Sequence, residues 1–318
     1  WVQVNNITPK PNHRYQNIQF VSTANGNIAS NMLLFYGWKP TANNGVGYFW
    51  QANTTNNLAK EQLITWCIVP FDAKKRGPAE RVEMLKRLGL NRVAYDWRAQ
   101  HVNQFEEEIL EYKKHGMEFF AFWSVHEEAF RLFKKYKIHP QIWQTLPNPK
   151  ADAQEAQVAA AAKAMLPLVE RTKKLGCKLG LYNHGGWGGE PANLVAVCKY
   201  LREHHKAKHV GIVYNLHHGH GHIADFKKSL KLMQPYLHCL NLNGMNEGAK
   251  PKILALGKGK HEAAMIATIH KSGYTGPIGI LDHRNDTDTE VALRENLAGL
   301  RGILEQLGAK KTLESYSK

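Results

Sequence analysis

The 318-residue sequence is poor in acid: 27 Asp and Glu stand against 42 Lys and Arg, giving a formal net charge of +15. Residues 1–60 contain no Asp or Glu at all. Long apolar runs are also missing. None approaches the roughly 18 residues of a membrane span, and mean hydropathy is −0.45, so no membrane-spanning helix is expected. Cysteine is scarce, with Cys67, Cys177, Cys198 and Cys239 and no C-x-x-C pair. That argues against a disulfide framework and for buried free thiols. No G-x-G-x-x-G or G-x-x-x-x-G-K-[ST] opens a helix, which removes the common dinucleotide and P-loop readings. No H-E-x-x-H is present either. With 43% hydrophobic residues and no sustained heptads, neither a disordered chain nor a coiled coil fits.

The basic excess raises nucleic acid or an anionic surface as a partner. Its distribution argues otherwise. Lys113, Lys114, Lys134, Lys135, Lys173, Lys174, Lys310 and Lys311 fall near expected helix ends. Cations there complement the helix dipole, so a solvated face accounts for them.

The first 60 residues differ from the rest. They are rich in Asn, and the apolar runs 18–21, 32–36 and 46–50 are separated by Asn25-Gly26 and Asn44-Gly45 turn signals. An irregular β-containing extension over 1–60, packed on the next domain, is expected, because so short a piece buries little core alone. From about residue 62 the pattern becomes a regular alternation. Strands are expected at 63–71, 92–97, 118–125, 141–146, 178–183, 210–216, 239–243 and 276–282. Helices are expected at 78–89, 103–115, 127–137, 152–175, 191–206, 223–235, 261–272 and 288–307. Helix stops at Gly89, Gly116, Gly176, Gly273 and Gly308 punctuate the pattern. Eight strand–helix units in about 250 residues predict an α/β (β/α)8 TIM barrel over 61–318.

In such a barrel the site is built at the C-terminal strand ends. Those ends carry Asp96, Trp97 and Arg98; Trp123, His126 and Glu128; Trp143; Asn183, His184 and Trp187; Asn215 and His218; Asn241 and Asn243; and Asp282 and His283. Four Trp at matching ends (Trp97, Trp123, Trp143 and Trp187) suggest stacking on sugar rings, although each alone could be a core residue. Glu128, Asp96 and His184 are candidate bases. Arg98 and His218 are candidate electrophiles, and the Asn residues are candidate hydroxyl-binding groups, as is His126 beside them. The His217–His222 run could hold a metal or hydrogen-bond a polyol.

The segments 66–72, 181–187, 211–220, 240–245 and 276–283 resemble the xylose isomerase-like TIM-barrel superfamily of sugar phosphate isomerases, epimerases and family 2 AP endonucleases. The branch they resemble is common in planctomycetes and verrucomicrobia. The resemblance covers about residues 63–307 and implies a carbohydrate substrate and proton abstraction beside a sugar carbonyl. The product would be that of an isomerase, an epimerase or a lyase acting on a 3-keto-glycoside. It also implies one divalent ion held after strands 5 to 8 by carboxylates and His. Here the nearest positions read Tyr182 or Asn183, Asn215, Asn241, and Leu281 or Asp282. A Mn, Co or Zn ion would therefore fall to His184, His218, and Asp282 or His283, or the site would work without metal. Loss of the carboxylates also admits a non-catalytic sugar-binding protein. An abasic-site endonuclease needs a richer ligand set, so nucleic acid is disfavoured as a partner. The oligomeric state is not legible. The chain opens on Trp1, and a presequence removed ahead of it would favour a periplasmic or secreted setting.

Overall fold

The computed structural model describes residues 56–281 and 283–317, together with two three-residue strands, Trp38–Pro40 and Tyr48–Trp50. Those two strands pair antiparallel, Trp38 opposite Trp50. The second lies within the expected run 46–50; the run 32–36 and the rest of the expected extension fall outside the described residues. The chain divides into units 1–55 and 56–318, so the boundary lies a few residues before the expected 60. The reason is local. Thr312 Oγ1 donates to Asn56 Oδ1 at 2.6 Å and Tyr316 Oη to the Leu58 carbonyl at 2.9 Å, which ties 56–60 into the barrel unit.

The second unit is a closed barrel of eight parallel strands. They are β1 (Ile64–Trp66), β2 (Arg92–Asp96), β3 (Glu118–Trp123), β4 (Gln141–Thr145), β5 (Leu179–Tyr182), β6 (Val210–Asn215), β7 (Leu237–Leu242) and β8 (Ile278–Leu281). β8 closes on β1 with Gly279 beside Ile64. The helices between them are α1 (Pro78–Leu88), α2 (Phe105–Lys114), α3 (Glu127–Tyr136), α4 (Gln154–Leu175), α5 (Pro191–His205), α6 (Phe226–Met233), α7 (Glu262–Lys271) and α8 (Thr289–Gln306). Pro78 and Pro191 open their helices, where a missing N–H costs nothing. Gly89, at φ 68°, stops α1 in the left-handed conformation that glycine adopts without penalty.

Side chains alternate across each strand with period two. Ile64, Trp66, Ala94, Ala121, Trp143, Tyr182, Val213, Cys239 and Leu281 fill the barrel. Val93, Tyr95, Phe122, Leu181, Ile212, Tyr214 and Leu240 point at the helix ring. β1 ends at Trp66, five residues before the expected end, because Cys67 adopts φ 62° and turns the chain. All four cysteines are buried and free.

Candidate active site

The strand ends enclose a narrow cleft of about 70 Å³. Trp66, Cys67, Phe71, Asp96, Arg98, Trp123, Tyr182, His184, Asn215, His217, His218, Leu281 and His283 line it. It is small beside the roughly 300–1,000 Å³ of drug-sized ligand pockets, so it accepts the reacting end of a molecule. Trp66 and Trp143 form the floor, edge to face with centroids 4.9 Å apart.

Asp96 is the only carboxylate among the described lining residues. It ends β2 on the inward parity and is 2% exposed. Its Oδ1 has no hydrogen-bond partner among the described residues. Burial raises its pKa to about 7, against the opposing pull of Arg98. The Arg98 guanidinium stands 3.9 Å away and is held by the Trp97 carbonyl at 2.7 Å. It lies over the Phe71 and Trp123 rings at 5.4 and 5.9 Å.

Four imidazoles crowd the opposite wall. His184 and His218 lie 4.6 Å apart, His217 and His218 4.7 Å, and His217 and His283 4.8 Å, centroid to centroid. Burial, then the neighbouring imidazoles and Lys252, depresses His217 to about 2 and His218 to about 3. Burial and the Arg98 charge bring His283 to about 4. These three rings are neutral at physiological pH and offer one N–H each.

The buried amides knit strands together. Asn183 donates to the Asn215 carbonyl at 3.0 Å and accepts the Asn215 N–H at 2.7 Å. Asn215 Nδ2 in turn donates to the Tyr182 hydroxyl at 2.8 Å. Asn241 is accommodated by Gly279, where a Cβ would lie 2.1 Å from Asn241 Oδ1. Asn241 and Asn243 are buried but do not line the cleft.

Several sequence candidates stand elsewhere. Glu128 sits in the first turn of α3, outside the cleft, and is clamped by Arg131 at 2.6 and 2.8 Å. That hydrogen-bonded pairing holds it below its ordinary carboxylate range, so it is not a base for this cleft. His126 caps α3 by accepting the Glu128 N–H at 3.2 Å and packs on Trp97. Trp97 falls on the outward parity of β2, against Phe105 and Phe122. Trp143 is fully buried one layer down, its Nε1 donating to Gln141 at 3.0 Å. Trp187 donates to Gln154 at 3.1 Å and packs on the outer core. Of the four Trp expected to stack on sugar, only Trp123 reaches the cleft. Cys67, Phe71, Tyr182 and His217 line it as well; counting parity back from Asp96 and Asn215 would have pointed to Tyr182.

The donors at β5 to β8 do not suit a divalent ion. Trp66, Trp123 and Arg98 can only donate. The Tyr182 hydroxyl already accepts from Asn215, and burial pushes its pKa up. Among the described residues, no three His, Cys, Asp or Glu side chains are placed to hold a metal. His184 pairs with His218, whereas His283 pairs with His217; Asp282 lies outside the described residues.

The family described as xylose isomerase-like TIM barrel matches residues 95–303. No curated protein matches the sequence. Among solved structures, the chain is similar to the 3-keto-D-glucoside 4-epimerase YcjR of E. coli (14% identity, 76% of this chain and 99% of that one, TM-score 0.56). It is similar to a xylose isomerase domain protein from Planctomyces limnophilus (12%, 78% and 98%, TM-score 0.58). It is also similar to the IolI protein with a bound zinc atom (10%, 77% and 98%, TM-score 0.59). At such identities the likeness is one of fold.

Proposed function

Because the chain belongs to the family of xylose isomerase-like TIM barrels, we propose that it is a sugar isomerase or epimerase that moves a proton beside a carbonyl, with Asp96 as the base. The observation that carries this reading is a cleft carboxylate with a pKa near 7 and one unpartnered oxygen. A base poised near the working pH is what general base catalysis needs. The epimerase activity of YcjR supports a sugar as substrate, and the planctomycete neighbour is compatible with the branch to which the sequence segments point.

The steps follow from the side chains. Asp96 takes the proton from the carbon next to the carbonyl, and the C–H electron pair moves onto the carbonyl oxygen to give an enediolate. Arg98, 3.9 Å from Asp96, and the neutral imidazole N–H groups stabilise that oxygen. Return of the proton to the neighbouring carbon gives an isomerase; return to the other face of the same carbon gives an epimerase. On a 3-keto-glycoside, loss of the C2 proton followed by departure of the C1 aglycone would give a lyase by the same opening step. No step is routed through a metal, because the donors do not suit one; a Mn, Co or Zn ion at His184 and His218 is the second reading.

The test is a panel of aldoses, ketoses and 3-keto-glycosides followed by NMR, with chelator and with added Mn, Co or Zn. Turnover in chelator that is abolished in Asp96→Asn is expected. Turnover only with added metal would move the chemistry to the second reading. No turnover anywhere would leave a sugar-binding protein in its place.

A further inference from the structure

The cleft wall has more hydrogen-bond donors than acceptors. Trp123 lines it with a buried Nε1 that has no partner among the described residues. The Trp66 Nε1 acts on the Tyr182 hydroxyl without reaching hydrogen-bond geometry. An indole N–H and a guanidinium donate and never accept, so Trp66, Trp123 and Arg98 can be satisfied only by acceptor atoms. Nδ1 of His217 and of His283 are likewise buried and unpartnered, and a neutral imidazole can carry its proton there. His217 is 3% exposed, so water does not readily serve it. The charges agree with this. Arg98 lines the mouth, and the exposed Lys252 is near enough to act on His217, His218 and His283. Against these stands one described carboxylate, Asp96.

We propose that the substrate of this cleft carries an oxyanion, a carboxylate or phosphate group, seated between Arg98, Trp123 and the His217–His283 pair. This deepens the sugar isomerase reading and rests on it for the cleft being the substrate site. A neutral polyol would bring as many donors as acceptors and leave the indole and guanidinium N–H groups short of partners. An oxyanion brings acceptors alone, and the planar guanidinium fork matches it in two parallel hydrogen bonds.

The experiment is calorimetric titration of the whole chain with D-glucuronate, D-glucose 6-phosphate, inorganic phosphate and D-glucose. At least tenfold tighter binding of one anionic sugar over D-glucose is expected, weakening as NaCl rises from 50 to 500 mM. The tighter of the hexuronate and the hexose phosphate identifies the source of the oxyanion. Arg98→Met should lose at least tenfold on the anion with D-glucose unchanged. Trp123→Phe, which keeps a ring and deletes the N–H, should lose severalfold and serves as the check if Arg98→Met does not fold. Equal binding of D-glucose and both anionic sugars overturns the proposal, as does salt-independent binding or an anion affinity untouched by both substitutions. Because binding is read without turnover, anion binding without isomerisation leaves this inference standing while refuting the enzymatic reading. Turnover of neutral sugars without anion preference does the reverse.

Discussion

The Arg98 guanidinium stands 3.9 Å from Asp96 Oδ2, yet Asp96 remains near pH 7 because burial outweighs the attraction. Arg98 is 42% exposed at its side chain and so well solvated, whereas Asp96 is 3% exposed. Removing the cation should push the carboxylate further up. In Arg98→Met the acid limb of a rate profile is expected to move above 7, alongside a lower plateau rate. A limb that stays in place would mean that Arg98 does not act on Asp96.

Asp96→Asn should lower turnover by about 10²- to 10⁴-fold, the usual worth of a positioned base. The same change should stabilise the fold. A carboxyl whose folded pKa lies above its unfolded value of 3.8 binds more protons when folded, so stability falls as pH rises between the two values. Above pH 7 that cost is fully present, and deleting the charge relieves it. The expected gain at pH 8 is about 1–3 kcal/mol, read by urea unfolding, and it should fade toward pH 4.

The buried imidazoles predict the opposite trend on the acid side. His217, His218 and His283 have folded pKa values of about 2, 3 and 4, below the ordinary 6.5. The unfolded chain therefore binds more protons between about pH 4 and 6.5, and stability is lost as pH falls through that window. The melting temperature should drop between pH 7 and 4. His217→Gln should make the drop shallower; an unaltered slope would show that His217 is solvated.

Arg81 and Glu108 form a buried ion pair between α1 and α2, with side-chain exposures of 2% and 0%. Breaking one partner leaves the other charged in the core. Arg81→Met alone should cost about 3–5 kcal/mol. Arg81→Met with Glu108→Leu should recover most of it, since replacing both charges with apolar groups is often neutral. Equal losses in the single and double variants would contradict this.

The barrel was legible because its signals are local. Apolar periodicity, Pro at helix starts and Gly at helix stops set all eight units to within a few residues, except where Cys67 turns left-handed and shortens β1. The site was legible only to the level of strand ends. Asp96, Arg98, Trp123, His184, Asn215, His218 and His283 come together because they lie at or just past inward-facing positions. Trp97 and Asn183 sit one residue out of parity and point away from the barrel interior. Trp143 has the right parity but lies one layer deeper. Glu128 has entered α3, whose first turn points it at Arg131. A list of strand-end residues carries no parity, and depth along the barrel axis depends on strand stagger, which spacing alone does not encode.

The most direct measurement is hydrogen exchange at the carbon beside the carbonyl. The protein is incubated with its best panel substrate in D2O, and deuterium wash-in is followed by NMR from pD 5 to 9. If Asp96 is the base, wash-in should rise about tenfold per unit on the acid side and level off near 7. It should fall by 10²-fold or more in Asp96→Asn while Glu128→Gln keeps the wild-type rate. Wash-in that persists in Asp96→Asn, or turnover with no wash-in at any pD in the wild type, would contradict proton abstraction by Asp96.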